Sequence, residues 1–294
     1  MRVGVIGIGI MGSAIARSLI AGGSSVAGFD IDARRLDELR GAGGQAMDSA
    51  AAVAAASDIV LTSLPSAAAL DETVAGPCGL FSAQRKGQVV AELSTLPLEV
   101  KERNRAALAA VGVTLLDCPL SGTGAQAATR DLAVYASGER EAFARALPVF
   151  DQFARASHYL GDFGNGSRMK FVANLLVAIH NVATAEAMLL GRRAGLDAET
   201  ICKVIGSGAG SSRIFELRAP LMAARCYEPP TMKIDLWQKD MAVIGAFAAS
   251  LGVATPLFSA CAPLYSAAVG LGLGGKDTAA VSAVLEGMCG ATPK

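Results

Sequence analysis

Up to residue 162, short β-branched apolar runs alternate with amphipathic runs of helical period. RVGVIG, SSVAGFD, SDIVLTSL, GQVVAEL, GVTLLDC and LAVYASG predict strands. MGSAIARSLIAGG, DARRLDELRGAG, PLEVKERNRAALAAVG and EREAFARALPVFDQFA predict helices between them. Strands that alternate with helices build a mostly parallel sheet covered on both faces. Past HYLGDFGNGS the strand signal stops, and apolar residues recur at helical spacing, broken by Gly and Pro, to the end. The pattern predicts an α/β domain over 1–162 and an all-α domain over 163–294, with 164–168 as the join. Such joins are favoured addresses for ligands.

Composition narrows the class. At 294 residues the chain has length for about two domains. With 52% apolar and 18% charged residues it is a folded protein, and zero formal net charge argues against a nucleic-acid partner held by phosphate contacts. Six scattered cysteines, at 78, 118, 202, 226, 261 and 289, fit free thiols in a reducing cytoplasm. No CxxC pair or ligand-like cluster suggests a metal. The N-terminal stretch MRVGVIGIGIMGSAIARS mimics a secretory leader, but glycines 4, 7, 9 and 12 interrupt it. The apolar run 171–190 is long enough for a bilayer, yet it carries Asn174, His180, Asn181, Thr184 and Glu186. A buried helix of a cytoplasmic protein is the expectation, with no membrane partner.

Those N-terminal glycines have a chemical reading. Gly7-x-Gly9-x-x-Gly12 follows a predicted strand and opens a predicted helix, with Ile10 and Met11 between the last two glycines. Gly7 permits a tight turn, Gly9 lets backbone approach a pyrophosphate, and Gly12 allows close helix–strand packing; phosphate then rests on the helix N-terminus. The next strand ends in Asp30, an acid placed to bind the adenosine ribose hydroxyls and repel a 2′-phosphate. A Rossmann-type domain binding NAD rather than NADP is expected. Arg34 and Arg35 lie nearby and either soften that preference or are solvated helix residues.

Hydride chemistry on an alcohol needs a group to take the hydroxyl proton. The chain has two histidines, His158 and His180, and both read as structural. Lys170 stands at the mouth of the apolar run, four residues before Asn174 and so on the same helical face, which Asn181 continues. Desolvation beside a cationic nicotinamide would favour its neutral amine. By pattern alone, a lysine snorkelling at a helix start remains an equal reading.

Taken together, these stretches resemble the β-hydroxyacid dehydrogenase family, typified by 3-hydroxyisobutyrate dehydrogenase, and the likeness runs nearly end to end. GIGIMG is similar to the family's cofactor motif, DCPLSGT (117–123) to its substrate loop, GNGSRMKFVAN to its catalytic motif and KDM (239–241) to a later cofactor-side motif. LPS (64–66) and LSTLP (93–97) resemble loops flanking the nicotinamide. The resemblance implies a 6-phosphogluconate dehydrogenase-like fold: a Rossmann domain followed by an all-α substrate and dimerisation domain. It implies Lys170 as general acid/base, Asn174 orienting it, and Ser121, Gly122 and Thr123 around the substrate carboxylate. Leu64, Pro65, Thr95 and Lys239 would join Gly7, Gly9, Ile10, Met11, Gly12 and Asp30 around NAD. Homodimers or homotetramers are implied as well.

Two departures bear on the substrate. Thr123 replaces the second glycine of the family's Ser-Gly-Gly, and Arg130 and Asp131 stand where a glycine usually precedes a strand leucine. The expected activity is interconversion of a small 3-hydroxy acid and its semialdehyde. Thr123 keeps the bare N–H of the glycine it replaces and adds a hydroxyl, which favours a hydroxylated acid over 3-hydroxyisobutyrate; the alternative is a side chain that points away from the ligand. Tartronate semialdehyde, succinic semialdehyde and glyoxylate are alternative substrates, and a non-catalytic NAD-binding sensor is the alternative outside enzymology. A 6-phosphogluconate dehydrogenase needs a longer helical part, and imine reductases lack the catalytic lysine.

Overall fold

The apolar runs of the first half become the strands β1 (Arg2–Ile6), β2 (Ser25–Phe29), β3 (Gln45–Ala46), β4 (Ile59–Thr62), β5 (Val89–Glu92) and β6 (Thr114–Asp117) in a computed structural model that describes residues 1–83 and 85–290. They form one parallel sheet in the order β3-β2-β1-β4-β5-β6. Helices α1 (Ile10–Ala21), α2 (Ala33–Gly41), α3 (Ala50–Ala56), α4 (Ala67–Ala75), α5 (Leu80–Ala83) and α6 (Leu98–Ala109) make the crossovers.

Period-two alternation divides each strand between two cores. Val3, Val5, Ile59, Leu61, Val89 and Ala91 pack on one face, while Ile6, Val60 and Val90 pack on the other. Both faces are apolar because both are roofed by helices. Side-chain oxygens of Asp32, Ser49 and Ser66 accept the N–H groups of Arg34, Ala52 and Ala69, capping α2, α3 and α4.

LAVYASG departs from the single-sheet reading. A small second sheet contains β7 (Leu120–Ser121), β8 (Leu132–Ala136) and β9 (Ala154–Tyr159), with β7 antiparallel and β9 parallel to β8. Its connections are α7 (Gly124–Ala128) and α8 (Arg140–Phe150). Residues 117–121 run past Pro119 against 133–137 in one antiparallel register, and Pro119, which lacks an N–H for the ladder, separates the Asp117–Ser137 bridge from β7. That bridge continues the β7–β8 register and joins this small sheet to the end of β6. The predicted helix 139–154 also ends early, and its tail becomes the start of β9.

The chain divides into two compact units, Met1–Lys170 and Phe171–Lys294. That division falls inside α9 (Asn165–Arg193), just beyond the 160–164 loop where the sequence changes period. The second unit continues α9 and adds α10 (Ala198–Gly206), α11 (Arg213–Ala224), α12 (Ile234–Ser250), α13 (Pro256–Gly270) and α14 (Val281–Met288). By length and composition α9 could cross a bilayer. Here Phe171, Ala178, Val182, Ala185 and Met188 enter the unit's core. Its buried Asn181 donates to the Tyr265 hydroxyl (2.8 Å) and the Thr278 carbonyl (2.9 Å), as a core helix requires.

Candidate active site

Register alone aligns one edge of the first unit. Phe29, Ile6, Thr62, Glu92 and Asp117 pair in sequence across β2, β1, β4, β5 and β6. Each predicted cofactor or substrate segment of this unit leaves from that carboxyl edge: Asp30, Gly7–Gly12, Leu64–Pro65, Thr95 and Ser121–Thr123. Open parallel sheets bind ligands outside the carboxyl ends of their strands.

The glycine turn is sterically enforced. Gly7 has φ +85°, and a Cβ there would strike the Ser63 carbonyl. A Cβ at Gly12 would strike the Gly7 carbonyl, whereas one at Gly9 would enter open space. That space lies at the N-terminus of α1, which has no side-chain cap and no acidic residue in its first turn. A dinucleotide pyrophosphate fits such a cradle. Ile10, partly exposed, and Met11 begin α1 beside it.

Asp30 has a task that its position in sequence does not disclose. Its Oδ2 accepts the Ile8 N–H at 2.6 Å and its Oδ1 accepts the Asp32 N–H at 2.8 Å. The carboxylate therefore orders the glycine turn, while each oxygen retains a lone pair for a ribose hydroxyl. The next loops are also joined: Leu64 N–H donates to Ser94 Oγ at 2.7 Å, setting Leu64–Pro65 beside the segment carrying Thr95.

In the substrate loop, Gly122 has φ +129°, and a Cβ would run into Leu132. Thr123 is the N-cap residue of α7, and its N–H donates to Gln126 Oε1 at 3.1 Å. The N–H expected to be bare is thus already bonded, because the residue has become a helix cap. Gln126 Nε2 in turn reaches Asp131 Oδ2 at 3.2 Å. Arg130 takes the left-handed φ of +59°, the conformation that favours glycine.

Lys170 is buried, 7% exposed. Its helix begins under tight constraint: a Cβ on Gly166 would meet the carbonyls of Tyr135 and Asp117, and Ser167 donates N–H and Oγ–H to the two Asp117 oxygens, each at 2.7 Å. Asn174 follows one turn later on α9. In the second unit it donates from Nδ2 to Asp240 Oδ2 at 3.0 Å, and the Asp240 carboxylate also pairs with Lys239 at 3.2 Å. His158 stacks obliquely on Tyr135 with centroids 6.3 Å apart.

Sequence reasoning missed Asp240, Ser167 and the buried group around Asp117. A charged residue at the last position of an otherwise apolar strand, as in VVAE and TLLD, was the available signal.

A Rossmann sheet with an open glycine cradle and an acid at the end of β2 defines a nicotinamide-dinucleotide oxidoreductase, and the residues present fit NAD(P). Residues 2–161 match the family model described as the NAD binding domain of 6-phosphogluconate dehydrogenase. Residues 164–285 match the model described as NAD-binding of NADP-dependent 3-hydroxyisobutyrate dehydrogenase. The chain belongs to the β-hydroxyacid dehydrogenase family, as an NAD(P)-dependent enzyme of hydroxy acids.

It is 33% identical to the L-threonate dehydrogenase of Cupriavidus necator over 98% of this chain and 97% of that one. It is 31% identical to the 2-(hydroxymethyl)glutarate dehydrogenase of Eubacterium barkeri over 99% and 96%. A crystal structure of 3-hydroxyisobutyrate dehydrogenase from Salmonella typhimurium aligns with TM-score 0.88 and 31% identity, covering 97% of this chain and 99% of that one.

Proposed function

We propose that the enzyme interconverts a small 3-hydroxy acid and its semialdehyde, using NAD in preference to NADP, with Lys170 as general acid/base. Bound dinucleotide supplies the hydride acceptor. In the oxidative direction the Lys170 amine takes the substrate hydroxyl proton, and it returns that proton in reduction. Ser121 Oγ–H and backbone N–H at the Gly122 turn grip the carboxylate, which aims the hydroxyl-bearing carbon. Asn174 assists Lys170: one N–H of its amide goes to Asp240, and its carbonyl oxygen supplies the acceptor that role needs. In the first unit, Leu64, Pro65 and Thr95 contact the cofactor, as the family resemblance implies.

The observation that carries this reading is the burial of Lys170 on a helix start bonded to the very residue, Asp117, that opens the Ser121 loop. A sensor that only binds NAD needs neither. Within the substrate class we favour a hydroxylated acid. Thr123 offers a hydroxyl that a methyl-bearing substrate leaves unused, and similarity to L-threonate dehydrogenases supports a polyhydroxylated acid, although L-threonate itself would yield a keto acid in place of a semialdehyde.

The test is a panel of L-threonate, glycerate, L-serine and 3-hydroxyisobutyrate with NAD and with NADP, run on wild type and Lys170→Ala. NADH formation that disappears in the variant while NADH still binds is the expected result. Undiminished turnover in Lys170→Ala would refute the general acid/base role.

A further inference from the structure

Beneath the sheet edge lies a buried ionic group that the proposed reaction does not itself use. Glu92, Lys101, Asp117, Ser137 and Ser167 are all fully inaccessible. Lys101, in the first turn of α6, places its Nζ 2.6 Å from Glu92 Oε2 and 2.8 Å from Asp117 Oδ1, and donates to the Ser94 carbonyl at 2.7 Å. Burial by itself would lower the Lys101 pKa, but the Asp117 and Glu92 carboxylates outweigh it and hold the ammonium charged, above the usual lysine range. Ser137 Oγ accepts the Gly166 N–H at 2.9 Å and donates to Asp117 Oδ2 at 3.3 Å.

Each bond ends on a segment that the proposed function employs. Asp117 stands four residues before Ser121 and binds Ser167, three residues before Lys170. Three residues of helix advance only about 4.5 Å, so a shift at Ser167 reaches Lys170 almost undiminished. Glu92 Oε1 accepts the Ser94 N–H at 2.9 Å, and Ser94 holds Leu64 in turn. Buried ion groups are costly, and well-packed apolar residues often serve stability as well or better. What apolar residues cannot do is fix several backbone segments in direction as well as distance.

We infer that Asp117, clamped by Lys101, which Glu92 holds in turn, is a positioning residue that sets Lys170 against the Ser121 loop through its two bonds to Ser167. The inference rests on the proposed role of Lys170. A displacement near 1 Å can cost about 10²-fold in rate, so Ser167→Ala should lower kcat by roughly 10- to 100-fold. KM and the NADH dissociation constant should stay within about twofold, because neither ligand touches Ser167.

The comparison variant is Gln88→Ala, which deletes two buried hydrogen bonds, to the Ala54 and Ser57 carbonyls, away from Lys170. Steady-state kinetics with the fastest panel substrate, NADH fluorescence titration and thermal melts are run on all variants. The expected result is a kcat loss in Ser167→Ala that Gln88→Ala lacks at a comparable loss of melting temperature, with a raised solvent deuterium isotope effect from impaired proton transfer. Should Ser167→Ala not fold, Ser137→Ala, which frees the Gly166 N–H, carries the same comparison.

A kcat near wild type, or a loss matched by Gln88→Ala, would overturn the inference. If Lys170→Ala is inactive while Ser167→Ala is not, the proposed function stands and the positioning role falls. If Lys170→Ala is itself active, both fall.

Discussion

Replacing Asp30 with Asn should change cofactor affinity and cofactor choice together, because this carboxylate has two tasks. It accepts N–H groups from Ile8 and Asp32, one on each oxygen, at 2.6 and 2.8 Å. An amide keeps one acceptor oxygen and turns an NH2 toward the other N–H, so one of these bonds is lost. A hydrogen bond to a charged group contributes roughly 1.5–3 kcal/mol, which corresponds to about 10- to 150-fold in an equilibrium constant. Ile8 lies inside the glycine turn, so the loss falls where the pyrophosphate would rest. NADP gains a compensation that NAD does not, since the charge opposing its 2′-phosphate is gone. Asp30→Asn should therefore lower kcat/KM for NAD by about 10- to 150-fold and leave NADP nearly unchanged. Adding Ile31→Arg, at a position 96% exposed, supplies a cation and moves the preference to NADP. Initial rates with both cofactors, paired with NADH and NADPH titrations, measure this. A wild type that prefers NADPH, or a variant keeping NAD efficiency within about threefold, would refute the reasoning.

Lys170→Ala should lower turnover by about 10²–10⁴-fold, the range for a positioned general acid/base, with NADH affinity retained in fluorescence titration. Lys101→Met should destabilise the protein by roughly 3–5 kcal/mol, because it leaves the Glu92 and Asp117 carboxylates buried without their cation; urea melts at pH 7 measure it, and a loss below about 1 kcal/mol would contradict the ionic account. Thr123→Gly should cost only a few tenths of a kcal/mol as a cap replacement. It should also reduce the preference for glycerate over 3-hydroxyisobutyrate by about fivefold, equivalent to one hydrogen bond of about 1 kcal/mol, and an unchanged kcat/KM ratio would count against a hydroxylated substrate.

Local chemistry made much of this legible in advance. A glycine spacing that only a tight turn and a bare helix N-terminus can use announced the cradle, and the structure puts φ +85° at Gly7 and open space at Gly9. Alternating periods announced a parallel sheet followed by helices, because strands buried on both faces must read as apolar runs. Elsewhere the chain alone left the matter open. LAVYASG has the composition of any strand, and only the fold shows that it lies antiparallel to 117–121 instead of extending the parallel sheet. Thr123 read as an open N–H beside a ligand until the fold made it a helix cap bonded to Gln126. The sequence by itself determined the fold class and the glycine cradle, since these follow from residue type and spacing within single elements. Lys170 is singled out by the family resemblance and not by its spacing alone. Only the tertiary structure decided that Asp30 braces the glycine turn and that Glu92, Lys101, Asp117 and Ser167 meet. Those groups come from separate strands and helices, and buried charges declare their partners only when packing removes them from water.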